Sequence, residues 1–387
     1  MTSHPYTFGI EEEYFLAQAD GSLAAQIPER LIERARASVG EAVKSELLQS
    51  QIEIASPVYA DMDEALRSMT SLRIALGEAL LLDDLRLVAA STHPLGAWRD
   101  QWVTERRRYD RLLSDFRIVG ERNLVCGMHV HVEVPPDVDR VQLMNRFMPW
   151  LPLFLALSTS SPFWDRRVTG LLSYRQAIYD EWPRSGVPDF FTDEADYQGF
   201  IELMQRAGAI ADASYIWWAI RPALRYPTLE LRIADICTHV EDSVALAALF
   251  RCLIAALVRD PDLAPPHTTR TRRLIDENRW RAKRDGVNAS LIDERLAAAV
   301  PVRDVLAHTL SILAEDAAQL SCVGMMERLM AITVRGTSAQ TQLRIYNECR
   351  AGGATQDEAL RAVMQWLMDT TSQDHSHIRT PEREVGS

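Results

Sequence analysis

The sequence predicts an α+β protein whose strands lie in the first part of the chain and whose helices dominate the rest. Up to about residue 240, short segments that alternate polar and apolar residues are mixed with helical ones, whereas the later apolar spacing is almost wholly helical. Four early segments alternate so regularly that each would present one apolar and one polar face. An antiparallel sheet with one packed face produces this pattern. We therefore expect an antiparallel sheet with helices packed on its apolar face.

The other elements follow from apolar spacing and from the positions of proline. Residues 61–82 predict a helix with Asp61 as its N-cap, and residues 85–90 predict a strand. The later segments predict, in chain order, an amphipathic helix over 241–258, a loop over 259–273, and helices over 291–320 and 356–368. The apolar run over 244–258, interrupted by Arg251, indicates that the first of these helices is buried.

The same spacing indicates the domain organisation. We expect one domain over residues 1–370, strand-rich over 1–240 and helix-rich over 241–370. Residues 371–387 lack apolar periodicity, so we expect them to form a disordered tail.

The composition is that of an ordinary soluble protein, since 47% of the 387 residues are hydrophobic and 25% are charged. Lysine and arginine total 42 against 54 aspartate and glutamate, and the net charge of -12 argues against a nucleic-acid partner. No basic segment followed by an apolar stretch opens the chain, and the longest apolar run, residues 148–157, is shorter than the roughly 20 residues of a membrane span. Five widely spaced cysteines without a CxxC pair fit reduced thiols. We expect a cytoplasmic protein that binds neither nucleic acid nor membranes.

Splitting the four strand-like segments by their period of two places acids and histidines on one face of each. The apolar rows are Phe8, Ile10, Tyr14 and Leu16; Ile52 and Ile54; Met128, Val130, Val132 and Val134; and Leu229, Leu231 and Ile233. The polar rows opposite them are Gly9, Glu11 and Glu13; Gln49, Gln51 and Glu53; His129, His131 and Glu133; and Thr228, Glu230 and Arg232. Glu12 is the one acid that falls in an apolar row.

These polar rows have two interpretations. They could simply face bulk water, but a solvent face usually mixes lysine, arginine, threonine and serine with its acids, and these rows hold five glutamates, two histidines and no lysine. Carboxylates crowded on one surface repel one another unless cations neutralise them. Oxygen ligands with an occasional imidazole suit Mg²⁺ or Mn²⁺. The alternation favours a metal site, but it does not by itself place the four strands side by side.

A set of motifs resembles a known enzyme family. In chain order the motifs are Gly9-Ile10-Glu11-Glu12-Glu13, Gln51-Ile52-Glu53, Gly127-Met128-His129-Val130-His131-Val132, Glu230-Leu231-Arg232-Ile233-Ala234-Asp235 and Glu277-Asn278-Arg279-Trp280-Arg281-Ala282-Lys283-Arg284-Asp285-Gly286. The set is similar to the carboxylate–amine ligase family, which is related to type 2 glutamate–cysteine ligases and has a glutamine-synthetase-like catalytic fold. Each motif alone is weak, whereas the ordered set is specific and spans residues 7–286.

The resemblance implies one curved antiparallel sheet whose polar face is the active site of a single catalytic domain. ATP would enter one end of this site and the substrate carboxylate the other, with divalent metal ions, Mg²⁺ or Mn²⁺, between them. The expected metal ligands are Glu11, Glu13, Glu53, His129 and Glu230.

The resemblance also implies roles for residues around these ligands. Arg232 matches an arginine near the transferred phosphate, and with His131 it is an expected catalytic residue. His131 shares the polar face as a metal ligand, a substrate contact or a partner of a ligand. The expected nucleotide-phosphate contacts are Arg232 and Arg281 or Arg284, and the acids expected to point away as structural residues are Glu12 and Asp235.

The implied reaction is ATP-dependent ligation of a glutamate-like carboxylate to an amine, and cysteine is the acceptor that the resemblance indicates first. A carboxylate does not react with an amine at neutral pH because oxide is a poor leaving group, so the γ-phosphoryl of ATP would first form an acyl phosphate. The products would be an amide (γ-glutamyl) bond, ADP and phosphate. No GxxxxGK[ST] or GxGxxG motif occurs, so neither a P-loop nor a Rossmann site is expected. A homo-oligomer is expected on family grounds alone.

Two other functions remain open at this point. The His129-x-His131 pair could serve a metal-dependent hydrolase, which would need further histidine ligands and an aspartate on later strands. The available histidines His239, His267 and His308 fall in predicted loops or helices, and the early pair of glutamates would go unexplained. A nucleotide- or amino-acid-binding protein could also keep the fold without turnover.

Some residues near the motifs allow a structural as well as a functional interpretation. Arg221 and Arg225 precede the Glu230 segment and could pair with a substrate carboxylate. For Trp217 and Trp218 we expect core packing rather than a pocket. For Cys126 we expect a buried thiol rather than a nucleophile.

Overall fold

The computed structural model describes residues 5–24, 29–104 and 107–373 and confirms a mixed helix-and-strand fold. Its strands are β1 (Phe8–Gln18), β2 (Val43–Ser45), β3 (Gln51–Ala55), β4 (Leu85–Val88), β5 (Met128–Glu133), β6 (Phe163–Trp164), β7 (Arg167–Val168), β8 (Ser185–Gly186), β9 (Trp217–Trp218), β10 (Ile220–Pro222), β11 (Thr228–Leu231), β12 (Ser290–Asp293) and β13 (Ala298–Pro301). Its helices are α1 (Glu29–Val39), α2 (Met62–Leu81), α3 (Arg107–Phe116), α4 (Ile118–Glu121), α5 (Arg140–Phe147), α6 (Leu151–Ser158), α7 (Arg175–Tyr179), α8 (Glu194–Arg206), α9 (Val240–Arg259), α10 (Thr269–Asp285), α11 (Val302–Ile312), α12 (Ala314–Gln319), α13 (Val323–Arg335), α14 (Ser338–Ala351) and α15 (Gln356–Thr371).

Seven strands of the described residues form one antiparallel sheet in the order β10-β11-β5-β1-β3-β2, and β4 also pairs with β1. β1 is central because it pairs with β5, β3 and β4 along successive stretches of its length. The four predicted strands are therefore neighbours, since β11, β5, β1 and β3 are consecutive in the sheet. The alternation of polar and apolar residues in the sequence could not by itself predict that these strands are neighbours.

Two long helices cover the apolar face of the sheet. α2 is the helix predicted over residues 61–82, and the Asp61 side chain caps it by accepting a hydrogen bond from Glu64 N at 2.8 Å. α9 packs against α2 and also contacts β1 and β5. Residues 242–257 of α9 are all buried, because α5, α6 and α13 pack on its other sides. The buried helix expected over residues 244–258 is thus confirmed for residues 244–257. The expected amphipathic character over 241–258 was wrong, since this helix passes through the core.

The predicted helix over residues 291–320 was wrong in its first third. Residues 290–301 form the hairpin β12–β13, and the Asp293 side chain holds its turn by accepting from Arg295 N and Leu296 N at 2.8 and 3.1 Å. Helix α11 begins only after Pro301, at Val302. The apolar residues of 290–301 also fit a helical spacing, but Pro301 is extended and lacks a backbone N–H, so the helix begins only after it.

The boundaries of two other segments also differ from the prediction. The loop predicted over 259–273 ends at Thr268, whose hydroxyl caps α10 by accepting from Thr271 N at 3.0 Å. Helix α15 extends to Thr371, which is buried, so the predicted tail began too early. The rest of that tail, residues 374–387, lies outside the described residues, and the single domain over 1–370 stays a prediction. Within the described part of the chain, no helix is both long enough and apolar enough to cross a bilayer.

An ion pair is buried between the sheet and α2. Arg73 donates to both oxygens of Glu12, at 3.0 Å from Nε and 2.5 Å from Nη2, and both residues are almost completely buried. Tyr14 and Ser243 also donate to this carboxylate. The odd acid of the apolar row is therefore a structural residue, as the sequence indicated.

We expect Arg73→Met to lower the free energy of unfolding by about 3–5 kcal/mol, because it leaves the Glu12 carboxylate buried without its cation. Urea denaturation followed by circular dichroism measures this change. The control is Arg344→Met, which removes an exposed pair with Glu348 one turn away on α14 and should change stability little. A loss below about 1 kcal/mol for Arg73→Met would contradict the assignment.

Candidate active site

The register of the sheet gathers the polar rows on one face. Residues that lie opposite one another in a sheet have side chains close enough to interact. The opposed pairs are Glu13 with Glu53, Glu11 with His129, His131 with Glu230, and Glu230 with Arg221. All five expected metal ligands, together with His131 and Arg232, line one cavity of about 510 Å³ above this face. Its volume is typical of a site for small molecules.

Three carboxylates form a first acidic cluster, defined here as Glu13, Glu46 and Glu53. Their ligand oxygens lie within 4.8 Å of one another. Burial raises the pKa of Glu46 well above its usual range, and the charges of Glu53 and Glu13 raise it further. Lys44 on the edge strand β2 offsets part of this charge, with its Nζ 2.9 Å from Glu53 Oε1. The raised pKa favours the protonated form of Glu46, and a bound divalent cation would favour its ionised form.

Glu46 was missed by sequence reasoning because it follows the three-residue strand β2 and belongs to none of the motifs. The signal that could have found it is its spacing of two from Lys44, which puts both side chains on the side of the sheet that carries Glu53. That spacing is common in short exposed segments, so it carries little weight without the fold.

A second cluster consists of Glu11, His131 and Glu230, whose ligand atoms also lie within 4.8 Å of one another. Glu230 accepts hydrogen bonds from Arg221 at 2.7 and 3.1 Å and a further one from Arg232. Burial opposes ionisation of Glu230, but the charges of Arg232 and Arg221 outweigh it and lower its pKa well below the usual range. Glu230 is therefore ionised and its charge is partly neutralised, whereas the raised pKa of Glu46 in the first cluster favours its protonated form.

His129 stands between the two clusters. Its Nδ1 lies 3.4 Å from Glu11 Oε2 and its Nε2 lies 4.0 Å from Glu13 Oε1. Burial raises the pKa of Glu11, but the hydrogen bond and charge of His129 outweigh it and the pKa falls to about 2. Nδ1 also lies 3.5 Å from Arg232 Nη1, which can only donate. The ionised Glu11 carboxylate can only accept and is the closer partner, which favours a proton on Nδ1 and a lone pair on Nε2. That Nε2 is buried and has no hydrogen-bond partner among the described residues, which makes it available to a cation.

The strand ends that carry these residues are held by a buried arginine. Arg175 on α7 donates to the carbonyl oxygens of Ala234 and Arg232 at 3.1 and 3.3 Å. Gly127 allows this approach, because a Cβ there would lie 2.2 Å from Arg175 Nη2. The backbone N–H of Gly127 in turn donates to Glu13 Oε2 at 2.6 Å. A glycine, an arginine and a cluster acid are thus fixed as one unit.

Asp235, the last residue of the fourth motif, lies away from the cavity, as predicted. Asp235 is buried and accepts from Ser160 N, Ser161 Oγ and Ser173 Oγ at 2.8–2.9 Å. The Cys126 thiol is also buried, as predicted, and burial raises its pKa well above the usual range. Neither group is available for chemistry on the polar face.

Aromatic side chains form one wall of the cavity. Trp182 and Trp217 line it and contact each other edge to face, with ring centroids 5.3 Å apart. The expectation of core packing is correct for Trp218, which packs against Phe191 and Phe200. It holds only in part for Trp217, which packs against the core and also lines the cavity. A polar group of this wall is the indole Nε1 of Trp182, which is buried and has no hydrogen-bond partner within the described chain.

The two arginines before β11 have different surroundings. Arg221 is committed to Glu230, so it is not a free anchor for a substrate carboxylate. Arg225 is exposed at the rim of the cavity and forms no hydrogen bond or ion pair with the described residues.

The basic motif on α10 does not reach the cavity through the residues that were predicted. Arg281 pairs with Glu277 at 2.8 Å, and Arg284 pairs with its neighbour Asp285. Neither lines the cavity, so nucleotide binding by Arg281 or Arg284 stays a prediction without geometric support. Arg279 and Lys283 of the same motif instead turn inward and pair with Asp180, which follows the cavity residue Tyr179.

The donor set fits hard divalent cations. Each cluster offers carboxylate oxygens, which Mg²⁺ and Mn²⁺ prefer, and imidazole nitrogen is available in and between the clusters. A buried imidazole nitrogen without a partner is a further sign that a ligand belongs there. The same face would carry strong repulsion without cations.

Known proteins match almost the whole chain. The family model of glutamate-cysteine ligase family 2 (GCS2) matches residues 7–365. A relative from Rhodospirillum rubrum, named "Putative glutamate--cysteine ligase 2", is 43% identical over 376 residues, which cover 96% of this chain and 97% of the relative. A relative of the same name from Bradyrhizobium sp. (strain BTAi1) is 42% identical over 363 residues, which cover 94% of this chain and 87% of the relative.

Solved structures share the fold at low sequence identity. A bifunctional glutathione synthetase from Pasteurella multocida has a TM-score of 0.70 and 14% identity, and the match covers 94% of this chain and 52% of that one, so this chain spans about half its length. A glutamate–cysteine ligase from Francisella tularensis in complex with AMP has a TM-score of 0.67 and 13% identity, with 95% and 89% covered. At such identities the likeness establishes the fold alone.

Fold, acidic cavity and family match together define an ATP-dependent ligase that forms a C–N bond between a carboxylate and an amine. The chain belongs to glutamate-cysteine ligase family 2. The resemblance drawn from the motifs is thereby confirmed, and so is the glutamine-synthetase-like fold that it implied. Its substrates are small molecules, as this family membership indicates.

We expect the His129 imidazole to be neutral and protonated on Nδ1 from about pH 5.5 to about pH 8, because burial and the charge of Arg232 lower its pKa to about 4. Long-range proton–nitrogen NMR spectra of histidine-labelled protein, recorded with a chelator, measure both properties. His129→Asn assigns the signal, and His308, which is exposed on α11, is the reference in the same spectrum. An imidazolium at neutral pH, or a proton on Nε2, would contradict the geometry.

Proposed function

We propose that this protein joins the side-chain carboxylate of glutamate, or of a glutamate-like acid, to an amine, with cysteine as the first acceptor to test. The observation that carries the proposal is the pair of acidic clusters on one face of one cavity, linked by His129, in a member of this family. The names of its relatives, which refer to glutamate and cysteine, support this choice of substrates. The bond formed would be a γ-glutamyl amide.

The clusters would hold divalent ions, Mg²⁺ or Mn²⁺. Glu13, Glu46 and Glu53 would hold one ion, and Glu11, His131 and Glu230 a second. His129 would contribute its unpartnered Nε2 between them. When bound, these ions would neutralise and orient the ATP phosphates and the substrate carboxylate.

The reaction would proceed in two transfers. An oxygen of the substrate carboxylate attacks the γ-phosphorus of ATP, ADP leaves, and an acyl phosphate forms. The nitrogen of the amine then attacks the acyl carbon and loses a proton, and the C–O bond to phosphate breaks. Each transfer requires the reacting groups to be held in line, because phosphoryl transfer depends mainly on positioning and charge.

Arg232 would stabilise the charge that develops on the transferred phosphoryl group. Burial disfavours its charged form, but the charge of Glu230 outweighs burial and raises its pKa, so the guanidinium stays charged. One of its groups donates to Glu230, while its Nε is buried without a partner in the described chain. Its backbone is fixed by Arg175, so its remaining donors are preorganised.

Trp182 would contact a bound substrate. Its unpartnered Nε1–H lies on the cavity wall, and a buried donor costs free energy unless a ligand satisfies it. A substrate that presents a carboxylate, carbonyl or phosphate oxygen there would be selected over one that does not.

The two alternatives have less support. A metal-dependent hydrolase would need further imidazoles on this face, but the described histidines that line the cavity are His129 and His131. His239, His267 and His308 do not line it. No observation favours a binding protein without turnover, and the experiment below separates it from an enzyme. A homo-oligomer stays an expectation.

We expect ADP release with Mg²⁺ and ATP only when a glutamate-like acid and one amine are both present. With ¹⁸O in the glutamate side-chain carboxylate, label should appear in the inorganic phosphate, because that oxygen leaves with the phosphoryl group. Glu53→Gln should lower kcat/KM at least about tenfold, whereas Glu41→Gln, an exposed glutamate on a nearby turn, should not.

Three outcomes of this assay would contradict the proposal. ADP release without acid or amine would indicate an ATPase. Conversion of a substrate without ATP and without release of phosphate would indicate a hydrolase. Tight ATP binding without turnover on any pair would indicate the binding protein. Equal activity of Glu53→Gln and the parent would exclude the cluster as a metal site while leaving the ligase reaction intact.

We expect Trp182→Phe to raise the KM of one substrate roughly tenfold, because one hydrogen bond is lost while the aromatic ring remains. Initial rates with each substrate varied in turn measure the effect and identify the partner. Trp280→Phe, which changes an exposed indole on α10, is the control. Unchanged KM values for all substrates would exclude a substrate contact at Trp182.

A further inference from the structure

A second cavity lies apart from the acidic face and has a volume of about 340 Å³. It is lined by α5, by the loop before α8 and by the loop before α10. Arg146 is its charged side chain, and His267 and the amides of Gln142 and Asn145 lie with it. Among the described residues no carboxylate lines this cavity, in a protein whose net charge is -12.

Arg146 has an incomplete set of partners. Its Nη1 donates to the carbonyl oxygen of Leu257 at 2.7 Å, near the C-terminal end of α9. Through this contact one donor of the guanidinium satisfies a backbone carbonyl at the end of α9. Within the described part of the chain its other donors form no hydrogen bond, and no acid there forms an ion pair with it. The side chain is half-buried, and burial lowers its pKa without any acid to offset the effect.

The walls of the cavity are fixed beside this charge. His267 stacks on Phe190 with ring centroids 4.9 Å apart and 22° between the planes. Burial lowers the pKa of His267 and the charge of Arg146 lowers it further, so the field of the guanidinium reaches the imidazole. Asn145 holds the facing loop through its Nδ2, which donates to Phe191 O at 2.6 Å. The site is thus preformed.

We propose that this cavity binds a small oxyanion, a carboxylate or a phosphate, with Arg146 as its anchor. A guanidinium presents a planar fork of donors that matches two oxygens of either group. The neutral imidazole of His267 can donate to a third oxygen, and Phe190 and Phe191 form the apolar side of the cavity. This site does not depend on the proposed reaction, because its residues do not line the acidic cavity.

The test reads the His267 signal in histidine-labelled protein without ATP or divalent metal. Sodium phosphate and sodium acetate are titrated separately, and NaCl at matched ionic strength gives the baseline. We expect saturable shifts of His267 with at least one oxyanion, and the salt that saturates identifies the group that binds. The signals of His129 and His131 report any binding in the acidic cavity, so the two sites are distinguished.

Two variants make the result specific. Gln142→Glu is nearly isosteric and gives Arg146 an acid, so it should weaken binding at least about fivefold without disturbing α9. Arg146→Gln should abolish saturation, and its melting temperature shows whether loss of the contact with Leu257 has unfolded the protein. Shifts that follow NaCl, or equal affinity in the parent and Gln142→Glu, would overturn the proposal.

Discussion

Repulsion between carboxylates on one face of a sheet is the constraint on which this structure depends. Strand alternation and register place Glu11 and Glu13 of β1 beside the acids of β3 and β11, so the acids cannot separate without breaking the sheet. A slip of one residue would turn every side chain of β1 to the other face. The buried ion pair of Glu12 with Arg73 opposes such a slip, because Glu12 can reach Arg73 only from the apolar face of the sheet.

The two acidic clusters balance this charge differently. Glu230 in the second cluster is held by two arginines, and its pKa lies well below the usual range. The first cluster has Lys44 at its exposed edge. Burial and the charges of Glu53 and Glu13 raise the pKa of Glu46, and burial raises the pKa of Glu13. The first cluster therefore gains most from a bound cation, while the second keeps its shape through its own guanidinium groups. A bound cation would thus order the first cluster, whereas arginine side chains already hold the second cluster in place.

The sequence was sufficient for features with a strict local period. Alternation identified β1, β3, β5 and β11 and their polar rows, and the resemblance supplied the adjacency that alternation lacks. Glu46 could not be found in this way, because it reaches the cluster from a connection whose path depends on the pairing of β2 with β3. The hairpin at residues 290–301 was missed because its apolar residues also fit a helix.

Metal binding by the acidic face can be measured by counting bound Mn²⁺ with electron paramagnetic resonance of the free ion. We compare the parent protein with Glu46→Gln and with the control Glu41→Gln, which changes an exposed glutamate outside both clusters. We expect Glu46→Gln to lose one class of Mn²⁺ site or to weaken it at least about tenfold, while Glu41→Gln binds as the parent does. Equal Mn²⁺ binding by Glu46→Gln and the parent would contradict the claim that the crowded carboxylates of this face hold divalent cations.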